Sequence, residues 1–261
     1  MPTFFDSHVH LDMLAEKGID PRKALDDARA AGVTGMVTIA GAMAPGETQQ
    51  TFSLVAGRDS IGVAVGIHPH AADRATPDVL SRLERDLGRE QVVAVGEIGL
   101  DYYYNFCPPQ DQRRAFVAQM RMARQMGLPV VIHTRSADED TIVILEDEGV
   151  QETGGVIHCF SSDQIMADRA LALGMYISFS GIVTFPGAVP VAEAAQMVPT
   201  DRILAETDAP FLSPVPLRGR VNEPARVVHV VARLAQLRGV DEAAMGEQVT
   251  ANAAACFKMK V

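Results

Sequence analysis

Apolar positions along this chain fall into two alternating kinds of run. Short stretches rich in Val, Ile, Gly and Ala recur, each too short for a typical globular helix. Each is followed by a longer stretch whose apolar residues repeat at helical spacing. The short runs predict strands over Thr3–His8, Thr34–Ala40, Ile61–Ile67, Val92–Glu97, Pro129–His133, Gly155–His158, Met175–Ser180 and Ile203–Glu206. The longer stretches predict helices over Pro21–Ala31, Pro77–Leu87, Pro109–Met126, Asp138–Glu148, Asp163–Leu173 and Val189–Met197, and Pro21, Pro77 and Pro109 sit where proline suits a first helical turn. A loop rich in Pro and Gly, Ala209–Pro224, then leads into helices at Ala225–Arg238 and about Asp241–Phe257. Eight βα units without an internal repeat or linker predict one domain over residues 1–261, a closed (β/α)8 TIM barrel of the α/β class. An open doubly wound sheet uses the same alternation. The polar residues separate the two, because in a barrel the chemistry gathers at the C-terminal ends of several different strands.

That is where they fall. The first strand runs into His8 and His10, and a period of two puts both imidazoles on one face of an extended chain. Taken alone, such a pair is equally a strand end satisfied by hydrogen bonds. Repetition favours the metal reading: Glu97 ends VVAVGE, His133 ends PVVIH, His158 ends GVIH, and Asp208 lies in ILAETD. Four imidazoles and two carboxylates suit two divalent ions better than one, with zinc, manganese and magnesium all compatible with the donor types. Glu97 is placed to bridge them, since the fourth strand offers no lysine for modification. Two ions so held would acidify a shared water, and Asp208 is the natural acceptor of its proton. Asp208 also suits a plain ligand or an N-cap, and these roles are not exclusive.

Charge narrows the partners. With 33 acidic residues against 23 Lys and Arg, the net charge of −10 repels a polyanion, so a nucleic-acid substrate would need local help of the kind bound cations give. Three scattered cysteines, Cys107, Cys159 and Cys256, argue against a disulfide framework and fit a reducing cytoplasm. The N-terminal MPTFFDSHVHLD does not read as a signal peptide, and no apolar run approaches membrane-spanning length. A cytoplasmic monomer with no membrane association and no obligate protein partner is the expectation.

These motifs together resemble the TatD family of metal-dependent deoxyribonucleases, within the amidohydrolase-like barrels. The resemblance is carried by FFDSHVHLD, GIHPH, VGEIGLDYYY, PVVIHTRSADED, HCFSS, SFSGIVTF and ETDAPFLSPVPLRGRVNEP, in that order over nearly the whole chain. It implies metal ligands His8, His10, Glu97, His133, His158 and Asp208, the set already reached from strand ends. It also implies divalent-metal-dependent cleavage of DNA phosphodiesters, commonly as a 3′ to 5′ exonuclease. The family often carries glycine where this chain has Ser162 and a basic residue where it has Val221. The second departure bears on how the loop after the eighth strand grips a phosphate backbone. Fold does not determine substrate, so a metal-dependent hydrolase of a small-molecule ester, amide, lactone or aminoacyl ester is the alternative. A metal-bearing scaffold without turnover is a third, disfavoured because a complete ligand set plus a base exceeds what a scaffold needs.

Around the ligands lie further candidates. His68 and His70 close the third strand and either contact a substrate phosphate or cap the strand end. Arg135 shares the face of His133 and is aimed at an anion or paired with Asp101. Arg218, Arg220 and Asn222 occupy the loop where barrels often bind phosphate, with solvated loop charges the alternative. Asp101 and Glu206 are expected to orient histidines or arginines. Tyr102, Tyr103 and Tyr104 either stack on a nucleobase or, as is commoner, are buried under the loop. His229 reads as structural, and alternation points Cys159 toward the covering helices.

Overall fold

A computed structural model describes residues 3–44 and 46–260 of the chain. Eight strands, β1 (Phe4–Val9), β2 (Val33–Gly41), β3 (Ile61–Gly66), β4 (Val92–Asp101), β5 (Val130–Arg135), β6 (Gly155–Ile157), β7 (Tyr176–Phe179) and β8 (Ile203–Ala205), follow one another around a single sheet in sequence order. Every ladder between neighbours is parallel. The α-helices are α1 (Leu11–Leu14), α2 (Pro21–Ala30), α3 (Glu47–Val55), α4 (Pro77–Leu87), α5 (Pro109–Met126), α6 (Asp138–Asp147), α7 (Gln164–Ala172), α8 (Val189–Met197), α9 (Val227–Arg238) and α10 (Glu242–Phe257). Side-chain caps from Asp20, Thr76, Asp163 and Asp241 start α2, α4, α7 and α10 by accepting orphan N–H groups of the first turn. This is the expected TIM barrel as a single domain.

One helix and one strand depart from the sequence expectation. Helix α3 was not expected at all: its buried positions are Thr48, Thr51, Phe52 and Val55, so half of the stripe is hydroxylic and hides the helical period. Strand β4 runs four residues beyond its expected end at Glu97. Gly99 lies in this extension and is required by the strand's surroundings. It sits at φ 138, and a Cβ there would come within 1.9 Å of the His133 carbonyl oxygen.

Alternation along the strands separates two apolar layers. Val130 and Ile132 of β5 face outward into the large core shared with the helices, packed with residues such as Phe116, Met120 and Leu145. Val131 faces inward and joins Phe5, Val37, Ile39, Ala64, Ala94, Val156 and Leu204 in a small core inside the barrel. The same period sends His133 inward, one layer above Val131. The lower end of that inner core is closed by the last turn of α10: Ala253, Cys256 and Phe257 belong to it, and Phe257 stacks on Phe5 at 6.5 Å between ring centroids.

The ladders slip in two places that matter. Between Asp6 and Val9, β1 uses one more residue than β2, and between Val95 and Ile98, β4 uses one more than β5. Bulges of this kind re-aim side chains. One lies at Ser7 and His8, the other at Gly96 and Glu97. The seam between β8 and β1 is made beyond the end of β8: Asp208 N–H donates to the His8 carbonyl at 2.9 Å, and His10 N–H to the Ala209 carbonyl at 2.8 Å. Among the described residues, no helix is long and apolar enough to cross a membrane.

Phe257 plugs the barrel floor from the far end of the chain. Truncation by Phe257→Ala should therefore lower the unfolding free energy by about 3–5 kcal/mol in a urea titration. A loss below about 1 kcal/mol would show that the inner core does not depend on this ring.

Candidate metal centre

At the upper end of the barrel the strand-end side chains converge. His8 Nε2 lies 3.2 Å from His10 Nε2, 3.5 Å from Glu97 Oε2 and 3.7 Å from Asp208 Oδ1, while His10 Nε2 lies 3.8 and 3.4 Å from the same two oxygens. A tetrahedral ion with bonds of about 2.1 Å holds its donors roughly 3.4 Å apart. These edges fit such a cage. The other oxygen of Glu97 faces a different group: Oε1 lies 2.8 Å from His158 Nε2, 2.9 Å from His133 Nδ1 and 3.3 Å from His68 Nε2. Glu97 therefore stands between two donor clusters, one oxygen in each.

The remaining ring nitrogens show which lone pairs are available. His158 Nδ1 faces Glu206 Oε1 at 3.1 Å, and His133 Nε2 faces Asp101 Oδ2 at 3.1 Å. Carboxylates on one nitrogen fix the proton there and leave the other nitrogen's lone pair for a cation. His158 Nε2 is buried and, despite its closeness to Glu97, has no hydrogen-bond geometry with it or any other atom. An orphaned buried nitrogen beside a carboxylate oxygen is what a shared cation would satisfy. His68 differs. Its Nδ1 accepts the His70 backbone N–H at 3.1 Å, so the neutral ring carries its proton on Nε2 and offers the centre a donor rather than a lone pair. Burial pushes His68 below its usual pKa and keeps it neutral, though Glu97 works against this.

Electrostatics show how tightly the charges depend on one another. Burial disfavours the Glu97 carboxylate, yet His158, His68 and His133 outweigh that and hold its pKa well below the ordinary value. Asp208 behaves alike, with burial opposed by His10 and His8. His158 is desolvated too, but Glu97 and Glu206 raise its pKa well above normal. Asp6 lacks a cationic neighbour: burial lifts it to about 8, against hydrogen bonds from Thr207 that lower it.

Several positioning residues were not expected from the sequence. Asp6 accepts Thr207 N–H at 2.8 Å and His8 N–H at 3.3 Å through one oxygen, and Thr207 Oγ1 at 2.6 Å through the other. It thus ties β1 to the turn that carries Asp208. Gln112 and Gln119, seven apart on the buried face of α5, clip two strand ends. Gln119 accepts from Ile67 N–H and donates to Ile67 O at 2.7 and 3.1 Å, and Gln112 does the same for Asp101 at 2.7 and 3.0 Å. The signal available was a pair of glutamines where an amphipathic helix should be apolar.

The outer candidates are placed as follows. His70 Nε2 lies 2.9 Å from Asp101 Oδ2, the same oxygen that faces His133. Arg135 makes no pair with Asp101. Its guanidinium lies 4.2 and 4.7 Å over the rings of Tyr103 and Tyr104, and among the described residues it has no hydrogen-bond or ion-pair partner. Burial was the expectation for the tyrosines, but Tyr103 and Tyr104 are 62% and 48% exposed. Tyr102 alone is tucked in, its hydroxyl donating to Asp140 at 2.8 Å. Arg218 stacks over Phe185 at 3.8 Å and donates to the Ser213 carbonyl at 3.0 Å. Asn222, expected at the substrate, is fully buried, its amide donating to Thr207 O at 2.9 Å and accepting from Glu223 N–H at 3.0 Å. It braces the loop and leaves little of its amide for a ligand. Arg220 is exposed.

Cys159 also departs from expectation. Strand β6 ends at Ile157, so alternation no longer applies, and φ 45 at Cys159 turns the chain. Its N–H donates to Glu206 Oε1 at 2.8 Å and its sulfur lies 3.3 Å from Ser180 Oγ, beside the centre rather than under the helices. Burial first, then the Asp208 carboxylate, raises its pKa and keeps it a thiol.

Comparison with known proteins agrees with this geometry. The uncharacterized metal-dependent hydrolase YcfH of Escherichia coli (strain K12) is 41% identical over 97% of this chain and 94% of its own length. A protein of Erwinia tasmaniensis named 3'-5' ssDNA/RNA exonuclease TatD is 37% identical over 92% of this chain and 94% of that protein. The crystal structure of YjjV, a TatD homologue from Escherichia coli K12, superposes with a TM-score of 0.91 at 28% identity, covering 98% of both chains. The family model described as TatD related DNase matches residues 5–258, and with that match across the barrel and its donor residues the chain belongs to the TatD family of metal-dependent hydrolases.

Proposed function

We propose that this protein is a divalent-metal-dependent deoxyribonuclease of the 3′ to 5′ exonuclease type, working with two ions. The observation that carries the proposal is Glu97 with one carboxylate oxygen in each of two donor clusters. His8, His10, Glu97 Oε2 and Asp208 would hold one ion, and Glu97 Oε1, His133 and His158 the other. Magnesium, manganese and zinc all suit these donors. When bound, the ions supply Lewis-acid stabilisation of phosphate oxygens and a more acidic water.

The chain's own groups do the rest. Asp208 has a second oxygen beyond the one in the cluster and takes up the proton released by the attacking water. His68 offers its Nε2 proton to the phosphate from the side of the second cluster. Arg135 brings an uncommitted guanidinium to the mouth of the barrel, the local positive charge that an otherwise acidic chain needs before a polyanion can approach. Asp101 and Glu206 hold His133 and His158 in the ring orientation that faces Glu97. The names of the family and of the Erwinia tasmaniensis relative support DNA as the substrate class.

The deciding assay uses a 5′-labelled single-stranded oligodeoxynucleotide, protein stripped with EDTA, and magnesium, manganese or zinc added back. A ladder shortening from the 3′ end, absent without metal and reduced at least about a thousandfold in Asp208→Ala, is expected. Turnover of neutral esters or lactones with no cleavage of any oligonucleotide would overturn the nuclease reading.

Metal binding should also be visible without turnover. An ion that binds only the folded chain adds about 4 kcal/mol at roughly a thousand times its Kd, a rise of several degrees in Tm. That rise should vanish in Glu97→Gln, which keeps the shape and removes the charge shared by both clusters. A thermal scan with an equal rise in wild type and Glu97→Gln would show that Glu97 does not hold the ions.

A further inference from the structure

The turn after β4 exposes aromatic rings beside the metal centre. Tyr103, Tyr104 and Phe106 are 62%, 48% and 69% exposed. Tyr104 and Phe106 stack at 5.5 Å between centroids with planes 11° apart, and Tyr103 meets Tyr104 edge-on at 5.1 Å. Single exposed apolar residues are ordinary, but a contiguous cluster of rings at the mouth of a site marks an interaction surface.

The rings are held by the centre itself. Asp101 accepts the backbone N–H groups of Tyr103 and Tyr104 at 3.0 and 2.9 Å through Oδ1, while its Oδ2 faces His133 and His70. His70 then meets Tyr104 and Phe106 edge-on at 5.6 and 4.8 Å. One carboxylate thus sets both a ligand histidine and the turn that presents the rings. Arg135 lies over the rings of Tyr103 and Tyr104, with every guanidinium donor unspent among the described residues.

We propose that Tyr104 and Phe106 form a stacking platform for an unpaired nucleobase next to the phosphodiester being cut, with Arg135 gripping a flanking phosphate. The proposal rests on the nuclease reading and adds what selects the strand. A flat ring with an adjoining anion is the chemistry that an exposed aromatic pair beside a free guanidinium recognises. A base inside a duplex has both faces covered and its edge paired, so it cannot lie on these rings without first leaving the helix. The platform therefore favours single strands and frayed ends without reading sequence.

The test uses metal-loaded enzyme and a single-stranded oligonucleotide with 2-aminopurine beside a non-cleavable phosphorothioate linkage, with binding read from the fluorescence quenching that stacking causes. The wild-type enzyme and Phe106→Trp, which keeps a ring, should quench the probe. Tyr104→Ala/Phe106→Ala should bind it about 5- to 100-fold more weakly and without quenching. Exposure of both side chains protects folding of that variant, which a thermal scan checks. Equal affinity and quenching in the ring-less variant would overturn the platform while wild-type cleavage of an ordinary strand still upheld the nuclease reading. Failure of the wild type to cut any oligonucleotide would overturn both.

Discussion

The barrel can close only where β1 meets β8, and β8 is three residues long. Too short to complete the seam, it leaves the task to the turn that follows, where Asp208 N–H and Ala209 O bond to β1 across His8 and His10. Closure of the fold and assembly of the first donor cluster are consequently the same set of hydrogen bonds. Asp6 reinforces them from within, spanning from His8 N–H to Thr207, and Asn222 holds Thr207 from the outer side. Asp208 itself adopts φ 54, a left-handed conformation that aspartate tolerates better than most residues. A small cost in backbone energy is thus placed where it aims a carboxylate, a common arrangement at sites of chemistry.

Once closed, the mouth concentrates buried charge that water cannot screen. Glu97, Asp208 and His158 are held in their charged forms against their own burial, the two carboxylates by the imidazoles around them and His158 by Glu97 and Glu206. Removing any one leaves its partners desolvated and unpaired, which costs more than the lost contact. Bound cations would relieve the same tension from the other direction, since they can occupy the space between lone pairs that now face one another. The bulges in β1 and β4 are the local devices that make this crowding possible, bringing His8 and Glu97 inward where unbroken alternation would aim neighbours instead.

Much of this was legible in the sequence because Glu97, His133 and His158 each terminate an apolar run: a polar residue ending VVAVG or PVVI has no place in the inner core beneath it and faces the mouth. What was hidden obeys different physics. Helix α3 disguises its buried face with Thr48 and Thr51. Strand β4 runs past Glu97 through Gly99, where the absence of a side chain lets a neighbouring carbonyl approach. Cys159 follows the last paired residue of β6, so period-two reasoning expires just before it. Tyr103 and Tyr104 were assigned to the interior because rings usually go there, and no local pattern reveals that Asp101 pins their backbone outward. Asn222 looks like a loop residue offering its amide to a ligand, but its bonds are to a backbone carbonyl and an N–H brought together only by the fold.

Asp101 joins the two halves of the site. Its Oδ2 takes His70 and His133, its Oδ1 takes two backbone N–H groups, and the His133 and Tyr104 partners, with burial opposing them, hold it ionised well below the ordinary carboxylate range. An ionised carboxylate does not grip a phosphate, and these four contacts offset the negative charge it would otherwise turn toward a polyanion. The neutralised carboxylate spends its charge on geometry: it turns His133 toward Glu97 and turns the aromatic rim toward solvent. The orientations of His133 and of the aromatic rim are in this way set by one side chain, so the spacing between them is a property of the fold and not of a flexible loop. In an acidic chain, Arg135 brings positive charge to the mouth, placed beside the Asp101 cluster by the β4–β5 ladder that pairs Asp101 with Arg135.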